Sequence, residues 1–134
     1  MTFLPESDRD FFEAKEIVVE EIEEGETKGV IIRDFSVPPG LYFAGAEGLA
    51  PCEKADVLVM VPRGYNDTKL DSFYTDPPLL LPNGIDPQNC SPGVRFANRS
   101  WQFWSRHQPE GSWRPGIDGF PTYLQLIREA LRAR

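Results

Sequence analysis

The chain has 134 residues and a mass of 15.2 kDa, room for one domain and too little for two. Its 40% hydrophobic and 26% charged residues exclude a disordered tail, and thirteen Pro with eleven Gly exclude a bundle of long helices. The formal charge of −7 is uneven, with 18 acidic and 7 basic residues in 1–94 but 3 acidic residues and 7 Arg in 95–134, a polarity that steers partners and disfavours bulk nucleic-acid binding.

In chain order, residues 7–14 predict a short helix, with Ser7 as N-cap and acids in the first turn. The β-branched runs 16–22 and 29–35 flank Glu23-Glu24-Gly25-Glu26-Thr27 and read as a hairpin. Val37-Pro38-Pro39-Gly40 breaks the second strand, and Leu41-Tyr42-Phe43 extends the sheet after it. Residues 55–62 are continuously apolar, the mark of a central strand. From Arg63 to Pro92 turn residues dominate, with one further strand at 78–81. Between Arg95 and Trp113, Arg alternates with aromatics and declares no regular element. The last segment, 122–134, places Tyr123, Leu124, Ile127 and Leu131 at helical spacing and ends in Arg128, Arg132 and Arg134, an amphipathic helix with cations toward its C-terminus. The order predicts an α+β fold: short helix, antiparallel sheet of about four strands, irregular segment, helix.

Two cysteines, Cys52 and Cys90, have neither C-x-x-C spacing nor a companion His cluster, so no metal or cofactor is expected. The N-terminus has no signal-peptide pattern and no apolar run approaches eighteen residues, so a cytoplasmic protein with free thiols and no membrane contact is the expectation. The densest chemistry is in Trp101-Gln102-Phe103-Trp104-Ser105-Arg106-His107. A serine hydroxyl is a weak nucleophile that needs a base and an oxyanion stabiliser; His107, the only histidine, is the candidate for the first, and backbone amides, Arg106 or Asn98 for the second. No G-x-S-x-G elbow accompanies Ser105, which argues against an α/β-hydrolase. Cys90 is a weaker nucleophile candidate, with nothing adjacent to lower its pKa. Trp101, Phe103 and Trp104 among arginines also suit stacking on single-stranded nucleic acid, against which the acidic body argues.

The strand order, Tyr74-Thr75-Asp76-Pro77-Pro78, and Trp113-Arg114-Pro115 ahead of a helix resemble the ubiquitin-conjugating (UBC) fold. In that family a catalytic Cys lies eight residues before such a Trp, and Ser105 occupies that spacing here. The texture of 55–62, Gly64-Tyr65, Leu70-Asp71-Ser72-Phe73-Tyr74, Trp104-Ser105-Arg106-His107 and 113–119 is similar to prokaryotic ubiquitin-conjugating family E over nearly the whole chain. The resemblance implies a single UBC-like domain, 1–134, in a bacterial ubiquitin-like pathway with a defensive role. It implies a ubiquitin-like protein, an activating enzyme and a target protein as partners, with the activating enzyme docking at helix 7–14. There Asp8, Asp10 and Glu13 outweigh Arg9, opposite in sign to the family's usual helix, which calls for a basic partner surface. Serine replaces the family's cysteine and its His-Pro-Asn motif is absent, so the implied intermediate is an oxyester on Ser105, with Asn98 as stand-in for the missing Asn. The alternative is a noncatalytic UBC-like protein that binds the ubiquitin-like protein or its activating enzyme.

Overall fold

A computed structural model describes residues 2–45 and 48–133. The elements run α1 (Glu6–Ala14), β1 (Val19–Glu24), β2 (Thr27–Ser36), β3 (Phe43–Ala44), β4 (Ala50–Pro51), β5 (Lys54–Met60), β6 (Phe73–Asp76), β7 (Cys90–Phe96), β8 (Arg99–Trp104) and α2 (Phe120–Ala133). Six strands form one antiparallel sheet in the order β1-β2-β5-β6-β8-β7, and β3 pairs with β4 in a separate ribbon.

Strand alternation sorts the apolar residues onto two faces. Val30 and Ile32 pair with Val59 and Val57 on one face, while Ile31 pairs with Leu58 on the other. The first face carries the main core, where Val30, Ile32, Val57, Val59, Phe73 and Trp104 pack with Phe12 of α1 and Phe120, Tyr123, Leu124, Ile127 and Leu131 of α2. The helix α2 forms because those five residues make one stripe at three- and four-residue spacing, and all five are buried. The opposite face holds a smaller cluster of Ile31, Leu58, Phe96 and Trp101. Gly29 makes room for it: a Cβ there would lie 2.8 Å from the Phe96 ring and 2.9 Å from Leu58.

The α+β reading and both helices hold, with differences of detail. Helix α1 begins one residue early, with Pro5 at its N-cap position and no side-chain cap, so Ser7 sits inside the first turn. The sheet has six strands where about four were expected, because the Arg-aromatic stretch is half of a hairpin, β7–β8. Its turn is Ala97-Asn98, both left-handed at φ 54° and 60°, a geometry that usually advertises itself by glycine. The strand expected at 78–81 lies earlier, at Phe73–Asp76. Pro77 and Pro78 have no amide to donate to a ladder, and only Leu80 makes a bridge, to Phe43. The segment 41–43 contributes Phe43 to the small ribbon instead of the main sheet.

The N-terminal segment is tied to β1 by one carboxylate. Glu21 accepts the amides of Phe3 and Leu4, each at 2.7 Å, and pairs with Arg9 at 3.2 Å. Burial pushes the Glu21 carboxyl up, but the Arg9 hydrogen bond and the two amides outweigh it and hold it below the ordinary value. Replacing Glu21 with Ala leaves two amides without their acceptor and should cost about 2 kcal/mol in urea unfolding. A carboxyl lowered in the native state stabilises above its unfolded pKa, and that contribution is lost as pH falls through the native value. The stability gap between wild type and Glu21→Gln should therefore be widest near pH 7 and close on acidification, as read from urea midpoints.

Candidate functional site

Strand β8 ends at Trp104, so Ser105 is the first residue beyond the sheet. Its amide donates to the Asn89 carbonyl at 3.0 Å, and its own carbonyl accepts from Arg106 Nη1 at 3.0 Å. Asn89 closes a loop held down from beneath by Gln102, a buried carboxamide. It accepts from the Leu79 amide at 2.8 Å and from the Trp104 indole at 3.0 Å, and donates to the Leu79 carbonyl at 3.0 Å. The scaffold around Ser105 is thus fixed by buried polar groups with satisfied hydrogen bonds.

The Ser105 hydroxyl lies 3.4 Å from His107 Nε2. On its far side, His107 Nδ1 is 3.2 Å from Asp71 Oδ2 and 3.4 Å from Oδ1. A carboxylate only accepts, so the neutral tautomer that fits this contact carries its proton on Nδ1, which leaves the Nε2 lone pair toward the serine. This is the arrangement in which a base takes a hydroxyl proton while an acid holds its tautomer and steadies the imidazolium. The contacts are at the loose end of hydrogen-bond range, as is common before a substrate tightens a site.

Backbone pairing brings Asp71 there. Ser72, at φ 59°, donates its amide to the Arg106 carbonyl at 3.2 Å, and its hydroxyl accepts the Arg106 amide at 3.2 Å. Gln108 Nε2 donates to the Leu70 carbonyl at 2.6 Å, and Tyr123 of α2 donates its hydroxyl to the Ser72 carbonyl at 2.6 Å. Residues 70–72 and 106–108 are therefore zipped together and bolted to α2. The His107 side chain is 68% exposed and that of Asp71 36%. An ion pair so exposed contributes little to stability, and its effect is to orient the ring.

The predicted site residues divide. Ser105, His107 and Arg106 come together, and the Arg106 guanidinium stacks 4.9 Å over the Trp104 ring. Asn98 does not join them. It lies in the β7–β8 turn at the opposite end of β8, a strand's length from Ser105 and on the order of 20 Å away. Cys90 does come close, since it pairs with Trp104 across β7–β8. Burial pushes its thiol up to about 11, although Arg106's charge and hydrogen bond work the other way, so at neutral pH it carries almost no thiolate. Trp101 and Trp104 are buried, at 3% and 0% exposure, and offer no face for stacking bases. Asp71, and the Ser72 and Tyr123 contacts that hold its segment, were not anticipated as parts of the site. The only sequence signal for Asp71 is an acid beside a strand that must neighbour β8.

Iodoacetamide alkylation of Cys90 should climb about tenfold per pH unit from pH 7 to 10, followed by peptide mapping. A thiol of ordinary acidity, near ~8.5, would level off above pH 9, and such a plateau would contradict the buried environment.

No described helix is long and apolar enough to cross a membrane. The family model described as Prokaryotic E2 family E matches residues 4–134. No curated protein and no solved structure gives a match.

Proposed function

The chain belongs to Prokaryotic E2 family E, a ubiquitin-conjugating-like family, and on that premise we propose that Ser105 carries the C-terminal acyl group of a ubiquitin-like protein as an oxyester. The observation that carries this reading is the alignment of Ser105 Oγ, His107 and Asp71. In loading, Ser105 Oγ attacks the acyl carbonyl that the activating enzyme presents as a thioester while His107 Nε2 takes its proton; the acyl–sulfur bond breaks and the activating enzyme's thiol leaves with that proton. In transfer, a target amine attacks the ester carbonyl, His107 takes the amine's proton and returns it to the Ser105 oxygen as the acyl–oxygen bond breaks, and an amide forms. Arg106 sits beside the reacting serine and supplies cationic N–H donors to the oxyanion. Asn98, at the far turn, has no part in it.

An oxyester is less electrophilic toward amines than a thioester, so the relay supplies activation that a cysteine would not need. Cys90 is kept out by its burial. The whole chain acts as one UBC-like unit in a bacterial ubiquitin-like pathway with a defensive role, working in the cytoplasm. The activating enzyme docks on α1. Asp8 does not contribute to that surface as the sequence reading held: it is buried and accepts from Tyr65 Oη at 2.7 Å. The exposed acids there are Glu6, Asp10 and Glu13, and they suit a basic partner face.

The test incubates the protein with ATP, its ubiquitin-like partner and the activating enzyme, and resolves adducts on a denaturing gel. The expected adduct resists thiol reductant, yields to mild alkali, forms in wild type and Cys90→Ala, and is absent in Ser105→Ala. Asp71→Asn should slow its formation by about a hundredfold, with Asp71→Glu recovering part of the rate. A reductant-sensitive adduct lost in Cys90→Ala would move the nucleophile to Cys90. No adduct in any variant, with active partners, would leave a binding protein of the same fold.

A further inference from the structure

Beside the relay, a groove of about 280 Å³ runs between residues 106–109 and the C-terminal half of α2. Its floor and far wall are Phe73, Tyr123, Leu126, Ile127 and Ala130, and His107 forms part of the near wall. The room comes from the helix: Ala130 presents only a methyl group where a larger side chain would close the gap. Arg106 and Glu129, the latter exposed on α2, are the charged residues of a lining that is otherwise largely apolar. The groove therefore suits an apolar group attached to whatever carbonyl Ser105 attacks. Its volume is at the lower limit of ligand pockets, which run from roughly 300 to 1,000 Å³, so it suits an acyl group of a few carbons and not a long lipid chain.

The relay is also open to water, as the exposure of His107 shows. A base that can deprotonate an incoming amine can equally deprotonate a water molecule at the same place. We propose that the protein is also a serine esterase, in which Ser105 hydrolyses short apolar acyl esters and the groove beside His107 receives the acyl group. In the first step Ser105 Oγ bonds to the ester carbonyl, its proton passes to His107 Nε2, and the alcohol leaves with that proton. In the second, water attacks the acyl–Oγ bond, His107 takes the water proton and returns it to Oγ, and the carboxylic acid departs. Water is the only co-reactant. The negative oxygen of both tetrahedral intermediates faces the Arg106 guanidinium, which has five N–H donors and spends one on the Ser105 carbonyl and another on Cys90.

The reading needs no ubiquitin-like partner, so it stands or falls separately from the conjugation reading. The purified full chain is treated with a fluorophosphonate probe, and labelled peptides are mapped. In parallel, hydrolysis of p-nitrophenyl acetate, butyrate and octanoate is followed at pH 8. Labelling is expected on Ser105, with turnover of butyrate above that of octanoate, a loss of both signals in Ser105→Ala, and a fall of about a hundredfold in Asp71→Asn. Ala130→Trp, which fills the groove, should invert the preference in favour of acetate. Leu126→Ala, which widens it, should raise octanoate relative to butyrate and serves if the Trp variant does not fold. Absence of a Ser105 label, or ester hydrolysis undiminished in Ser105→Ala, would overturn the esterase. A chain-length preference unmoved by a folded groove variant would overturn the acyl pocket. An oxyester adduct without esterase activity would sink this inference alone, and esterase activity without an adduct would sink the conjugation reading alone.

Discussion

The pairing of Phe73 with Trp104 across β6 and β8 sets two rings in a stack, 5.4 Å apart and 16° from parallel, and the candidate site depends on that register. Trp104 is fully buried, and an aromatic of its size dominates the energetics of a small core. A slip of one residue would turn it to the other face of the sheet. Continued unbroken, that register would set Ser72 opposite Ser105; at the left-handed Ser72 the pairing shifts by one residue, so that Ser72 bonds Arg106 and Asp71 reaches His107 just beyond the strands. The exposed relay thus takes its geometry from the best-buried part of the molecule, with Tyr123 of α2 adding a second anchor.

Burial also sorts the nucleophiles. Cys90, at the start of β7, and Ser105, just beyond the end of β8, lie close together at the same end of the hairpin. The thiol, intrinsically the better nucleophile, is half-buried and held protonated. The hydroxyl, intrinsically the weaker, has an imidazole within reach. In the proposed oxyester chemistry a serine needs a base that a thiolate would not, and that is the role proposed for His107, whose ring lies against Asp71. At α1, burial of Asp8 against Tyr65 consumes one acid for structure and leaves Glu6, Asp10 and Glu13 on the surface.

Much was legible because it depends on local periodicity. The spacing of Tyr123, Leu124, Ile127 and Leu131 predicts α2, and the β-branched runs predict β1, β2 and β5, each within a few residues of its observed ends. Ser105 and His107 are visible as a pair because only Arg106 separates them. The β7–β8 hairpin was hidden for a physical reason: its turn uses Ala97 and Asn98 in left-handed conformations without glycine, and Pro92 and Gly93 interrupt the edge strand. The strand misplaced to 78–81 has a similar cause, since the apolar Leu79-Leu80-Leu81 run packs down through loop contacts and its prolines bar it from the ladder.

The amino-acid sequence by itself determined the α+β class, the buried stripe of α2, the family resemblance and the serine that stands eight residues before Trp113. Only the tertiary structure decided which groups surround that serine. Asn98, near Ser105 in sequence, is carried a strand's length away because a β-strand rises about 3.3 Å per residue. Asp71, distant in sequence, is brought within 3.2 Å of His107 because antiparallel pairing sets strand neighbours by register and not by chain order. Side-chain pattern encodes which face a residue takes, but proximity across a sheet is a property of the assembled core.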